Sequence, residues 1–138
     1  MAVEFVWDNA EKTIFRYIFD PGWTWEAFFA AKKEANVIMD MVGHKFGVIL
    51  HLPSDNVIPP DVIANTRNGL RNKHPNTAVI VVVSERPFVR TMVGTIRALP
   101  PLTNTGIETA SDLDEAYAIV HEILSRFTDD SMTRRHRS

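Results

Sequence analysis

The chain has 138 residues, of which 45% are hydrophobic and 23% charged, and these values are typical of one globular domain with a single core. A formal net charge of -2 gives no electrostatic reason to bind nucleic acid or an anionic membrane. The absence of cysteine excludes disulfides, thiolate metal sites and a cysteine nucleophile. No apolar run approaches the roughly 20 residues of a transmembrane helix, and the first residues lack a basic, apolar leader, so we expect a cytoplasmic protein.

Two segments near the N-terminus have the alternating pattern of β-strands. Apolar residues occupy every second position of residues 3–7, and in residues 13–19 the side chains of Phe15, Tyr17 and Phe19 share one face. The short polar segment between the two predicts an antiparallel β-hairpin.

Residues 24–42 have the periodicity of an amphipathic helix. Thr24 suits the N-cap position, and apolar residues recur at steps of three and four along one face, namely Phe28, Ala31, Ala35, Ile38 and Val42. We expect this face to pack on the sheet. A second interpretation is that some of the aromatic residues Trp23, Trp25, Phe28 and Phe29 line an apolar pocket or an oligomer interface.

Residues 77–83, with the sequence TAVIVVV, are the most strand-like segment of the chain. Their apolar run has no alternation, which indicates a strand that is covered on both faces. Residues 46–52 predict a second buried strand and residues 106–109 a short edge strand. Three more helices are predicted. The first begins near residues 59–61 with Asp61 as a cap, and its apolar face consists of Val62, Ile63, Thr66 and Leu70. The other two span residues 87–99 and 111–127.

This order of elements predicts an α/β fold. We expect a mixed sheet of four to five strands with an N-terminal β-hairpin, parallel βαβ crossovers and four helices. Residues 1–128 form a single domain in this interpretation. Residues 129–138 are polar and basic, and we expect them to be a disordered tail.

The order and several local patterns resemble the STAS domains, which include bacterial anti-sigma-factor antagonists and cytoplasmic domains of anion transporters. The resemblance covers residues 3–127 and rests on the leading hairpin and on four patterns, which are Trp25-x-x-Phe28…Ala31, Val48-Ile49-Leu50, Val79-Ile80-Val81-Val82-Val83 and Phe88-Val89-Arg90. It is nearest to the small stand-alone bacterial STAS-like proteins, and it implies a regulatory module that acts through protein contacts.

One segment departs from the pattern of the STAS antagonists. Those proteins carry an Asp-Ser-x-Gly type segment in which the serine is phosphorylated. The corresponding residues here are Asn56-Val57-Ile58-Pro59-Pro60-Asp61, which lack that serine and the glycine. The phosphoserine motif is therefore not intact.

Polar residues follow the two buried strands, at the edge where ligands bind in open α/β sheets. The candidate binding residues are His51, Ser54, Asp55, Asn56, Ser84, Glu85, Arg86 and Arg90. Backbone N–H groups of the helix that begins near Pro87, together with the two arginines, are suited to an anion. The alternative interpretation is that the serines and carboxylates only satisfy loop and helix-end donors.

Catalytic and metal sites find little support in the residue spacing. His51, Ser54 and Asp55 are too close in sequence to form a nucleophile, base and orienting group, and no Gly-x-Ser-x-Gly segment is present. His44 and His74 lack metal-ligand spacing with His51, and no glycine-rich nucleotide-binding loop occurs. We predict no enzyme activity, no metal and no cofactor.

Two functions from different classes are favoured over a third, an enzyme with its site at the loops of residues 51–55 and 84–86. The first is a non-enzymatic regulatory module with a protein partner, which also assembles as a homodimer. The second is a carrier of a small apolar or lipid ligand, similar to the CRAL-TRIO carriers, which have a related α/β layout. The predicted binding residues are also compatible with a small anionic ligand.

A basic helix face is formed by Arg67, Arg71, Lys73 and His74. This face suits an acidic partner or is simply solvated.

Overall fold

The computed structural model describes residues 3–52, 58–98 and 106–137, with side chains to residue 127 in the last segment. The strands are β1 (Val3–Trp7), β2 (Ile14–Phe19), β3 (Phe46–His51), β4 (Thr77–Val83) and β5 (Ile107–Ala110). The helices are α1 (Trp25–Met39), α2 (Val62–Arg71), α3 (Pro87–Ala98) and α4 (Leu113–Arg137).

The five strands form one mixed sheet in the order β1-β2-β3-β4-β5. The hairpin of β1 and β2 is antiparallel, and β2 to β5 are parallel. This confirms the predicted fold class. His51 pairs with Val83, so the carboxyl ends of β3 and β4 meet at one edge, as expected.

Helices cover both faces of the sheet. On one face, α1, α2 and α3 contribute Phe28, Leu70 and Val93 to the larger apolar core. On the other face, α4 contributes Ala116 and Val120 to a smaller core.

Strand β4 has buried side chains on both faces, as its unbroken apolar run predicts. Ile80 and Val82 belong to the core under α1, α2 and α3. Val79 and Val81 belong to the core under α4 and are 1% and 0% exposed. Neighbouring residues of this strand therefore report on two different packing environments.

Helix α4 lies so close to β3 that only glycine fits beneath it. A Cβ atom on Gly47 would lie 2.5 Å from Cγ1 and 2.8 Å from Cγ2 of Val120, which is shorter than any ordinary carbon contact. The backbone approach at this glycine lets Val120 be completely buried.

Three details differ from the sequence-based expectations. Helix α1 ends at Met39, although the sequence predicts a helix to Val42. Beyond Met39, the backbone N–H groups of Met41 and Val42 donate to the carbonyl three residues earlier, which is the tighter pattern of a 3₁₀ turn. Asp61 is the N-cap of α2, but it has a left-handed backbone with φ of 63° and its side chain makes no capping bond. Ile63, expected on the inner face of α2, is 44% exposed.

The backbone of α4 is helical to Arg137, and the domain boundary and tail expected from the sequence stay predictions. Residues 113–137 contain neither glycine nor proline, so nothing in the backbone chemistry stops a helix that is already formed over its packed N-terminal half.

Candidate functional site

A cavity of about 100 Å³ lies between the sheet and helices α1, α2 and α3. Its wall consists mainly of apolar side chains from all of these elements, among them Tyr17, Phe28, Val48, Leu50, Leu70, Ile80, Val82, Met92, Val93 and Ile96. Apolar cavities of about 150 Å³ are known to stay dry and to bind a benzene-sized molecule. The space is therefore of the right order for one ring or a short alkyl chain.

Aromatic residues of α1 and of the turn before it form one end of this cavity. Trp23, Trp25 and Phe28 line it, and the two indole rings pack edge to face with centroids 4.9 Å apart. The indole N–H of Trp25 donates to the carbonyl oxygens of Pro59 and Pro60, at 3.2 and 2.8 Å. These two bonds connect the segment before α2 to α1. Three of the four aromatic residues that the sequence offered as pocket residues therefore line the cavity, and Phe29 is not part of its wall.

Two polar groups of the wall belong to largely buried side chains, and one of them has no hydrogen-bond partner among the residues described. The indole Nε1 of Trp23 is buried and unpaired, in a side chain that is 4% exposed. The Tyr17 side chain is 3% exposed, and burial raises the pKa of its hydroxyl well above the ordinary value. Each group is a neutral donor at pH 7 in an apolar setting.

Basic residues lie where the cavity passes between α1 and α2. Lys32 of α1 lines the cavity, and its Nζ donates to the carbonyl oxygen of Gly69 in α2 at 2.8 Å. Lys73 and His74, directly after α2, also line it. Burial lowers the pKa of Lys32 from its ordinary value.

No aspartate or glutamate belongs to the described wall of the cavity. Within the described part of the chain, neither Lys32 nor Lys73 makes an ion pair. His74 uses both ring nitrogens elsewhere, because Nε2 lies 2.7 Å from Oδ1 of Asp40 and Nδ1 accepts from the backbone N–H of Asn76. The cavity is thus an apolar space with two uncompensated cations in its wall.

A second group of polar residues lies on the opposite face of the sheet, beside α4. Nε of Arg16 is 2.9 Å from Oδ2 of Asp8, and the Tyr117 hydroxyl donates to the same oxygen at 2.9 Å. Arg16 Nη1 donates to Nδ1 of His51 at 3.1 Å. This network joins the end of β1, the strands β2 and β3, and α4.

His51 is held in its neutral form within this network. Burial, and then the neighbouring Arg16 guanidinium, lower its pKa from the ordinary value, against an opposing effect of Asp8. Because an arginine can only donate, Nδ1 is the acceptor and the ring proton is on Nε2. The network is well satisfied and partly buried, as in a structural connection between elements.

The remaining predicted site residues divide into two groups. Ser54, Asp55 and Asn56 lie outside the described residues. Ser84, Glu85, Arg86 and Arg90 follow β4 as expected, and the structure gives two of them local roles. Ser84 is buried and its Oγ accepts from the backbone N–H of Arg86 at 3.2 Å, while Arg90 donates to Oγ of Ser111.

Glu85 and Arg86 are exposed on their loop. His51 pairs across the strand ends with Val83, and its side chain contacts Arg16. The binding site expected at this edge stays a prediction, and the cavity lies between the sheet and helices α1, α2 and α3. Lys32 and Lys73 are not in the predicted site, and the only signal for them is their position on helix faces otherwise expected to be solvated.

Within the described ranges, no cluster of three or more histidine, aspartate or glutamate side chains is arranged to hold a metal ion. The same part of the chain contains no helix with the length and apolarity needed to cross a membrane.

No family model, no curated protein and no solved structure matches this chain. The resemblance to STAS domains therefore stays a prediction, and the functional argument rests on the cavity and the residues around it.

Proposed function

We propose that this protein binds a small, largely apolar molecule in the cavity between the sheet and helices α1, α2 and α3. The observation that carries the proposal is the cavity itself, with its volume of about 100 Å³ and its apolar wall. A ligand in this space would remove apolar wall surface from water, which contributes about 25 cal/mol per Å².

The wall is also suited to selecting such a ligand. The edge-to-face aromatic cluster of Trp23, Trp25 and Phe28 offers flat apolar surfaces. The unpaired indole N–H of Trp23 and the Tyr17 hydroxyl are donors that a ligand oxygen would satisfy. Most ligand sites combine a predominantly apolar wall with a few polar groups of this sort.

The regulatory function through protein contacts and the absence of enzyme activity stay predictions. A protein interface would need large exposed apolar side chains that lie together. Here these side chains are distributed over the molecule, with Val6 in β1, Val37 in α1, Met41 after α1, Ile63 in α2, Phe88 in α3 and Phe127 in α4. The cavity is the more specific feature, so ligand binding is the function that we propose.

A series of linear alcohols from 1-butanol to 1-octanol tests this proposal. Each methylene that enters the cavity contributes about 0.8 kcal/mol, which is about a fourfold increase in affinity per carbon. Affinities measured by NMR titration should rise by this factor and then level off when the cavity is full. Binding that is absent throughout the series would refute the proposal.

A matched pair of substitutions in β4 assigns that binding to the cavity. Val82→Phe places a ring into the cavity, because Val82 is part of its wall; it should abolish alcohol binding and leave the melting temperature unchanged or higher. Val81→Phe changes the adjacent residue on the filled face, where Val81 is completely buried. It should destabilise the fold by about 1–3 kcal/mol through overpacking. Equal losses of stability in both variants would mean that no space exists beside Val82.

A further inference from the structure

We propose that the ligand of this cavity is an anionic amphiphile, an alkyl or aryl carboxylate whose acid group lies between Lys32 and Lys73. This inference rests on the proposed function and adds the chemical class of the ligand. The apolar part would occupy the space under α1, and the carboxylate would face the gap between α1 and α2.

The first argument is the position of the two lysines. Lys32 Nζ reaches across from α1 to the carbonyl oxygen of Gly69, at 2.8 Å, so the ammonium group lies against α2. Lys73 lies two residues beyond Arg71, the last residue of α2, and lines the same cavity. Both cations therefore belong to the wall of one cavity, beside α2.

The second argument is charge. The Gly69 carbonyl occupies one of the three N–H donors of Lys32, and the ammonium of Lys73 has no hydrogen bond or ion pair to a described residue. No acidic side chain is present in the described wall, and the nearby Asp40 is engaged by His74. A carboxylate would therefore supply the negative charge that the protein itself does not provide.

The third argument is desolvation. Lys32 is in part removed from water, and burial disfavours its charged form, as the lowered pKa indicates. A carboxylate next to the ammonium would offset that cost, whereas an alcohol or an alkane would not. Charge-assisted hydrogen bonds of this type are about twice as strong as neutral ones.

Hexanoate and 1-hexanol are the probes that test the inference, because they share their apolar chain and differ in the head group. On the full chain at pH 7, hexanoate should bind at least about tenfold more tightly than 1-hexanol, a difference of about 1.4 kcal/mol. In Lys32→Gln and in Lys73→Gln, the preference for hexanoate should fall to less than about threefold. In the control Lys33→Gln, which changes the adjacent exposed residue outside the wall, the preference should stay.

The outcomes separate the two proposals. If 1-hexanol binds as tightly as hexanoate, the anionic class is wrong and the apolar site stands. If Lys33→Gln lowers the preference as much as Lys32→Gln, the acid group does not lie between Lys32 and Lys73. If neither compound binds, both proposals fail. Hexanoate should also lose its site in Val82→Phe, and retained binding there would place it elsewhere on the surface.

Discussion

Replacing Gly47 by alanine probes how closely helix α4 lies on the sheet. The added methyl group would stand 2.5 Å from Cγ1 and 2.8 Å from Cγ2 of Val120, and 3.2 Å from its Cβ. Val120 is completely buried, so its side chain cannot rotate into solvent to make room. Either α4 moves away from β3 or the valine leaves its preferred rotamer.

The magnitude follows from overpacking in a close-packed core. Extra methyl groups of this kind cost about 1–3 kcal/mol, and we expect the upper half of that range because the contact involves three atoms of one residue. Val120→Ala alone removes two buried carbons, at about 0.8 kcal/mol each before the cavity cost is added. In the double variant the alanine methyl at Gly47 would occupy the space that Val120 vacates.

Urea unfolding of the two single variants and the double variant measures these terms. Gly47→Ala should lower the free energy of unfolding by about 2–3 kcal/mol. The double variant should be less destabilised than the sum of the single variants by at least about 1 kcal/mol. An additive result, or a Gly47→Ala variant as stable as the parent, would contradict the packing of α4 on β3.

Three further substitutions or conditions test other parts of the structure. The lowered pKa of His51 means that the unfolded chain binds more protons below about pH 6.5, so stability should fall as the pH is lowered through that value; His51→Gln should flatten this part of the stability profile, and an unchanged profile would contradict the assignment. Tyr117→Phe removes the hydrogen bond to Asp8 and should cost about 1 kcal/mol in urea unfolding, while a neutral effect would mean that the bond is not formed. Ala35→Asp places an unpaired carboxylate on a fully buried helix face and should prevent stable folding, whereas Glu34→Ala on the exposed side should change stability by less than about 0.5 kcal/mol; a soluble, equally stable Ala35→Asp variant would refute the burial of this face.

The α/β architecture could be predicted because its signals are local. The unbroken apolar run of β4, the alternation of β2 and the three-four spacing of α1 each specify an element and its buried face. The order of these elements then leaves few topologies, because parallel strands need a crossover helix. The hairpin and the parallel strands follow from that order without knowledge of any distant contact.

The cavity could not be predicted because it depends on how tightly distant faces fit. Each wall residue, such as Val82 or Leu70, has the pattern of an ordinary core residue. Only the packed structure reveals that the faces of α1 and α2 leave a space above the sheet. Lys32 likewise has the sequence signature of a solvated helix position, and its role depends on the carbonyl of Gly69, 37 residues away.

The polar network of Asp8, Arg16, His51 and Tyr117 could not be predicted from the sequence either. Asp8 and Tyr117 are 109 residues apart, and no spacing rule connects them. The sequence predicts His51 at a binding edge, whereas in the structure its side chain connects to Arg16 of the neighbouring strand β2. Polar residues at strand ends are ambiguous for this reason, since the same side chains suit a ligand or a connection between elements.

Methyl NMR of β4 during a titration with 1-hexanol tests ligand binding in the cavity most directly. Ile80 and Val82 face the cavity, and Val79 and Val81 face α4. We predict that the methyl signals of the first pair shift in a saturable manner while those of the second pair stay. Shifts of equal size in both pairs, or no saturable shift at Ile80 and Val82, would contradict a binding site between the sheet and helices α1, α2 and α3.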